Sequence, residues 1–156
     1  MINNAEIVFP KSVLKTLNID IVREVREAGK CLAFDIPTAS GFYMLRATEG
    51  ILHEYYLVVC KPKKQDKLDN WGAYISALYK LSEDESTIDE TKNHIKKVLA
   101  LLQQVKDQDR NQIMHLEVVL NDDEAFVLFE ITKTAIMTMA EKLPIIKVKP
   151  QRPKTT

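Results

Sequence analysis

Residues 38–60 read TASGFYMLRATEGILHEYYLVVC, and this uninterrupted stretch decides the fold class. Phe42, Leu45, Leu52, Tyr56 and Val59 follow one another at spacings of three, seven, four and three, the period of one face of an α-helix and not the alternation of a strand. Pro37 lies just before the stretch and Lys61-Pro62 just after it, so the expected helix runs from near Thr38 through Cys60.

The same period extends in both directions. Upstream, Ile21, Val22, Val25, Ala28 and Leu32 predict a helix over Asn18–Phe34, with Asn18 or Asp20 as cap and Pro37 fixing the stop. Downstream, Asp69 or Asn70 caps a short helix through Leu81 that carries Trp71, Tyr74, Ile75 and Leu78. An acidic turn, Ser82 to Ser86, precedes Thr87 and Glu90, whose spacing is that of a capping box opening a helix with Ile95, Val98, Leu102 and Val105. Asn121, followed by Asp122, Asp123 and Glu124, opens a final helix through Leu143, burying Ala125, Leu128, Ile131, Ala135 and Met139. The expected fold is all-α, an antiparallel up-and-down bundle of four to five main helices, consistent with only 4 Gly and 6 Pro in the chain. We expect residues 18–144 to form the helical domain. Residues 1–17 read as an N-terminal connector, with a short extended piece at Ile7-Val8-Phe9, and 145–156 as a disordered basic tail.

A length of 156 residues with 46% hydrophobic content fits one domain with one sizeable core. The 22 basic and 22 acidic residues cancel, so any polyanion site has to come from local clustering. Cys31 and Cys60 stand far apart without metal-ligand spacing and read as buried free thiols of a cytoplasmic protein. No run approaches the roughly 18 apolar residues of a membrane span, and no metal site or cofactor motif stands out.

The richest chemistry lies in Asp109-Arg110-Asn111-Gln112-Ile113-Met114-His115. On a helix beginning there, Asn111 and His115 are four apart and share a face, and the long Arg110 side chain can sweep back toward them. Cleavage of RNA by its own 2′-hydroxyl needs a group that moves protons near neutral pH, which suits His115, and donors for the charge on phosphorus, which suit Arg110 and Asn111. The bland alternative is a helix end at which Arg110 pairs with an acid and His115 is satisfied by backbone.

This string, between the last two long helices of an all-α chain and ahead of an acidic-capped final helix, resembles the signature of the HEPN superfamily, in which an Arg is followed after four to six residues by a His. The segment Pro37 to Glu49, with its small residues and Arg46 three before Glu49, is similar to the corresponding helix of the DUF4145-like branch. The likeness spans roughly Ile19 to Leu143. It implies a metal-independent endoribonuclease whose two sites merge across a dimer, leaving a 2′,3′-cyclic phosphate and a 5′-hydroxyl, and often a toxin or defence role. Other members bind without cleaving.

Arg46, Glu49 and His53 form a second polar stripe at spacings of three and four. Either it supports the Arg110–His115 site, with Glu49 accepting from Arg110, or it is a solvated face with an internal Arg46–Glu49 pair. Lys61, Lys63, Lys64 and Lys67 offer phosphate contacts or are a solvated loop. His94, among Lys92, Lys96 and Lys97, is expected on an exposed face without a role. Trp71, Tyr55, Tyr56 and Tyr74 either stack bases or fill the core. Three classes of function follow: a homodimeric RNA-cleaving enzyme, a non-catalytic helical binding module for nucleotide, RNA or protein, and a subunit held by a cognate antitoxin-like partner.

Overall fold

The computed structural model describes residues 5–106 and 119–146. Within them the chain forms a 3₁₀ turn, Ala5–Val8, and six α-helices: α1 Lys11–Leu14, α2 Ile19–Ala33, α3 Pro37–Cys60, α4 Trp71–Glu83, α5 Asp89–Val105 and α6 Asp122–Ala140. Five of the six are long enough to count as bundle elements, and the described residues contain no strand.

Helix boundaries follow local chemistry. The Asn18 side chain accepts from the N–H groups of Asp20 and Ile21 and starts α2. Its end is a Schellman turn, in which Ile36 N–H reaches the Cys31 carbonyl at 2.9 Å and Asp35 N–H reaches that of Leu32 at 3.3 Å. Asp35 takes the left-handed conformation there, φ 56°, which a short polar side chain tolerates. Pro37 then serves as a first-turn residue of α3 rather than only a stop signal. Asn70 caps α4, and Asn121 with Glu124 forms a complete capping box on α6. Thr87 does not cap α5, contrary to expectation: Ile88 occupies the N-cap without a side-chain bond, and Asp89 and Glu90 face the dipole instead.

α3 is the central element, in contact with α2, α4 and α6, while α5 closes the bundle against α4 and α6. Along α2 and α3 the partners run in opposite directions, Asn18 against Glu54, Ile21 beside Gly50 and Glu24 against Arg46, so the two helices are antiparallel. A Cβ on Gly50 would stand 3.1 Å from Ile21 Cγ1, so glycine at this position lets α2 and α3 approach closely. Met44, Ile51, Leu52, Tyr55, Leu78, Ile95, Leu102, Leu128 and Ile136 are fully buried between the helices.

The N-terminal segment departs from its expected form. Ile7-Val8 belong to a 3₁₀ turn and not to an extended piece, and Phe9 and Leu17 are buried in the same core as the helices. At the other end Ile146 N–H bonds the Lys15 carbonyl at 2.8 Å, closing the chain back onto the segment after α1. Cys31 and Cys60 are free, half-buried thiols, and burial pushes the Cys60 thiol up to about 11. Among the described residues no helix is long and apolar enough to cross a membrane.

Candidate functional site

Arg110, Asn111 and His115 lie outside the described residues. The chain is anchored on both sides of them. Val105, the last residue of α5, is fully buried, and Leu120 is buried with its N–H donated to Thr38 Oγ1 at 3.0 Å, in the first turn of α3.

The polar stripe Arg46, Glu49 and His53 is placed together, on the wall of a cleft of about 530 Å³ bounded by α2, α3 and the start of α4. That volume lies in the range of small-molecule sites, roughly 300–1,000 Å³. The anticipated internal Arg46–Glu49 pair is not formed. Arg46 turns instead to α2, its Nη2 donating to Glu24 Oε1 at 3.1 Å and its Nε 3.1 Å from Oε2. The guanidinium also lies 5.8 Å from the centre of the Phe42 ring, a cation–π distance. Glu24 is only 8% exposed, and a carboxylate at that depth is tolerated because the Arg46 guanidinium lies against it, donating to Oε1, while Oε2 has a charge contact but no hydrogen bond among the described residues. Arg23, nearer the rim, lies 3.2 Å from Asp20 and 3.7 Å from Glu24 Oε1.

Deeper in the cleft, His53 Nδ1 lies 3.0 Å from the Tyr74 hydroxyl, and the rings meet edge-on with centroids 6.1 Å apart. The same hydroxyl accepts the Leu68 N–H at 3.0 Å. Burial, and secondarily the charge of Lys67, lower the His53 pKa, so the ring is neutral at pH 7. A neutral ring accepts at Nδ1 the proton that the buried phenol has to place, which leaves the N–H on Nε2. Glu54, whose pKa is raised by burial, accepts from the amide of Asn18, so one asparagine both caps α2 and holds a carboxylate of α3. Tyr74→Phe removes the phenol bridge from both Leu68 and His53, and the expected loss is about 1–3 kcal/mol in denaturant unfolding. A change under about 0.5 kcal/mol, the level of an ordinary surface substitution, would show that water replaces the hydroxyl freely.

Of the four loop lysines only Lys67 lines the cleft, while Lys61 is exposed and ends α3 in a left-handed conformation, φ 46°. Trp71, Tyr55, Tyr56 and Tyr74 are all buried, so they are core residues and not an open stacking platform. His94 corrects its expected exposed placement. It is 8% exposed, 2.8 Å from the Tyr55 hydroxyl through Nδ1 and 3.3 Å from Glu141 through Nε2, and so ties α3, α5 and the end of α6 together.

Sequence reasoning missed Asn18, Glu24 and Glu54 as site residues and offered Tyr74 only base stacking or core packing. Glu24 carried a usable signal: it falls three residues after Ile21 and four before Ala28, inside the buried stripe of α2, where a carboxylate needs a cation. His94, four before Val98, carried the same signal on α5. Among the described residues no group of three or more His, Cys, Asp or Glu side chains is arranged to hold a metal ion. No family model, curated protein or solved structure matches the chain.

Proposed function

We propose that the chain is a HEPN-type domain that cleaves RNA without a metal, using Arg110 and Asn111 to hold the phosphate and His115 to move the proton. The 2′-hydroxyl attacks phosphorus as it loses its proton, the bond to the 5′-oxygen breaks, and that oxygen takes a proton, leaving a 2′,3′-cyclic phosphate and a 5′-hydroxyl. The observation behind this reading is the Arg110–His115 string in the connection between α5 and α6 of an all-α bundle, ahead of a helix opened by an acidic capping box. A homodimer follows from a single such set per chain, since a two-fold axis brings two sets together. A cytoplasmic toxin or defence component restrained by a cognate partner is the biological role that goes with it.

Incubation of the purified chain with total RNA in EDTA tests the proposal. The expected products carry cyclic phosphate ends, and Arg110→Ala yields none. Cleavage that disappears on chelation, or that survives in Arg110→Ala, rejects the mechanism.

A second reading, a binding module without cleavage, is favoured by the cleft itself. Arg46 and His53 also satisfy the Arg-to-His spacing, yet the guanidinium is bonded to Glu24 and the imidazole is held neutral. Four carboxylates, Asp20, Glu24, Glu49 and Glu54, line the cleft against the cations Arg23, Arg46 and Lys67, a balance that repels a phosphodiester. On the first reading cleavage falls to the Arg110 string; on the second the chain only binds, through this cleft.

A further inference from the structure

The charges of the cleft that are already spent can be separated from those that are not. Arg23 pairs with Asp20 at 3.2 Å and with Glu24 at 3.7 Å, and Arg46 with Glu24 at 3.1 Å, so these two cations and two carboxylates balance one another. What remains is Glu49, Glu54 and Lys67, none of which has an ion-pair partner within 4.0 Å among the described residues; Glu54 meets only the neutral Asn18 amide. A ligand complementary to this remainder carries two positive groups and one negative group.

We infer that the cleft between α2, α3 and α4 binds a free dibasic amino acid of the lysine or arginine type, its two cationic ends on Glu49 and Glu54 and its carboxylate on Lys67. Three observations carry this beyond charge counting. Glu49 and Glu54 are five residues apart on α3, which turns their side chains about 140° from each other around the helix axis, so they line different sides of the cleft, Glu54 toward Asn18 of α2 and Glu49 toward Tyr74 of α4, and a ligand that reaches both has its two cationic groups at opposite ends of an extended chain. Ile21, Leu45 and Trp71 line the same cleft and supply the apolar surface that an aliphatic chain needs. His53 lines the cleft together with Lys67, and with Nδ1 taken by the Tyr74 hydroxyl its Nε2 is the ring nitrogen left for a carboxylate. Burial makes the Glu54 carboxylate costly to ionise, and an arriving ammonium offsets that cost.

Titration calorimetry on the full chain tests the inference with four probes: L-lysine, L-arginine, 1,5-diaminopentane and inorganic phosphate. Lysine or arginine is expected to bind, and Glu49→Gln to weaken it about tenfold, the worth of one charge-assisted bond. Lys67→Gln is expected to weaken lysine by about tenfold and leave diaminopentane unchanged, because the diamine has no carboxylate to lose. Glu49 and Lys67 are both exposed, so neither substitution removes core packing. Preference for phosphate, absence of heat with both amino acids, or lysine binding indifferent to both substitutions overturns it. RNA cleavage assayed in the same preparations reports on Arg110 and His115 separately, so failure of either idea leaves the other measurable.

Discussion

His115→Ala is expected to lower the rate of RNA cleavage by about two to four orders of magnitude, the usual contribution of a positioned proton-transfer group. Arg and His contribute differently to the reaction, and the two variants separate those contributions. Removing Arg110 takes away charge on the phosphoryl oxygens and should weaken binding as well as turnover. Removing His115 takes away only the group that exchanges a proton near neutral pH, so the loss falls mainly on turnover. The cleavage rate of the wild type should follow the titration of an imidazole, while residual cleavage by His115→Ala should lose that dependence. The melting temperature of each variant is the control for folding. Turnover by His115→Ala within a few-fold of wild type would falsify the catalytic role of the string.

How much of this could be read from residues alone differs between fold and site, for physical reasons. Helix positions were legible because apolar periodicity and end chemistry are local. Asn18, Asn70 and Asn121 cap their helices, the first two each being one of a pair of candidates (Asn18 or Asp20, Asp69 or Asn70) that spacing left open, and α3 runs from Pro37 to Cys60 within a residue of its expected start. Thr87 misled because a capping box needs backbone geometry as well as residue types. In the structure Asp84 already accepts from Ser86 and from the Thr87 N–H, which draws that turn away from α5. The stripe Arg46, Glu49 and His53 was legible as a shared face, but its surroundings were not. Whether such a face is wet or walled depends on α2 and α4, elements 22 and 21 residues away in the Arg46–Glu24 and His53–Tyr74 contacts. Pairings over that distance are decided by tertiary packing, which is why an ion pair expected within α3 formed between helices instead.

Trp71→Ala is expected to cost about 3–5 kcal/mol, the largest stability effect of any single truncation considered for this chain. The indole is 1% exposed and occupies the first position of α4, directly after the Asn70 cap. The buried side of α4 consists of Trp71, Tyr74, Leu78 and Ser82, so Trp71 and Tyr74 supply most of the apolar area fixing its first turn. A cavity there cannot be filled from Gly72, the adjacent residue, which has no side chain to rotate inward. For a chain of this size the loss corresponds to a fall in melting temperature of roughly 6–20 °C. Phe126→Ala is the matched control: another aromatic truncation, but 58% exposed, and expected to change stability by less than about 1 kcal/mol. Because Trp71 also lines the cleft, its loss should abolish amino-acid binding under conditions in which the rest of the bundle still melts cooperatively. Phe126→Ala should leave binding intact. If the two variants melt alike, α4 is not held by its buried aromatic residues, and the cleft cannot owe its shape to them.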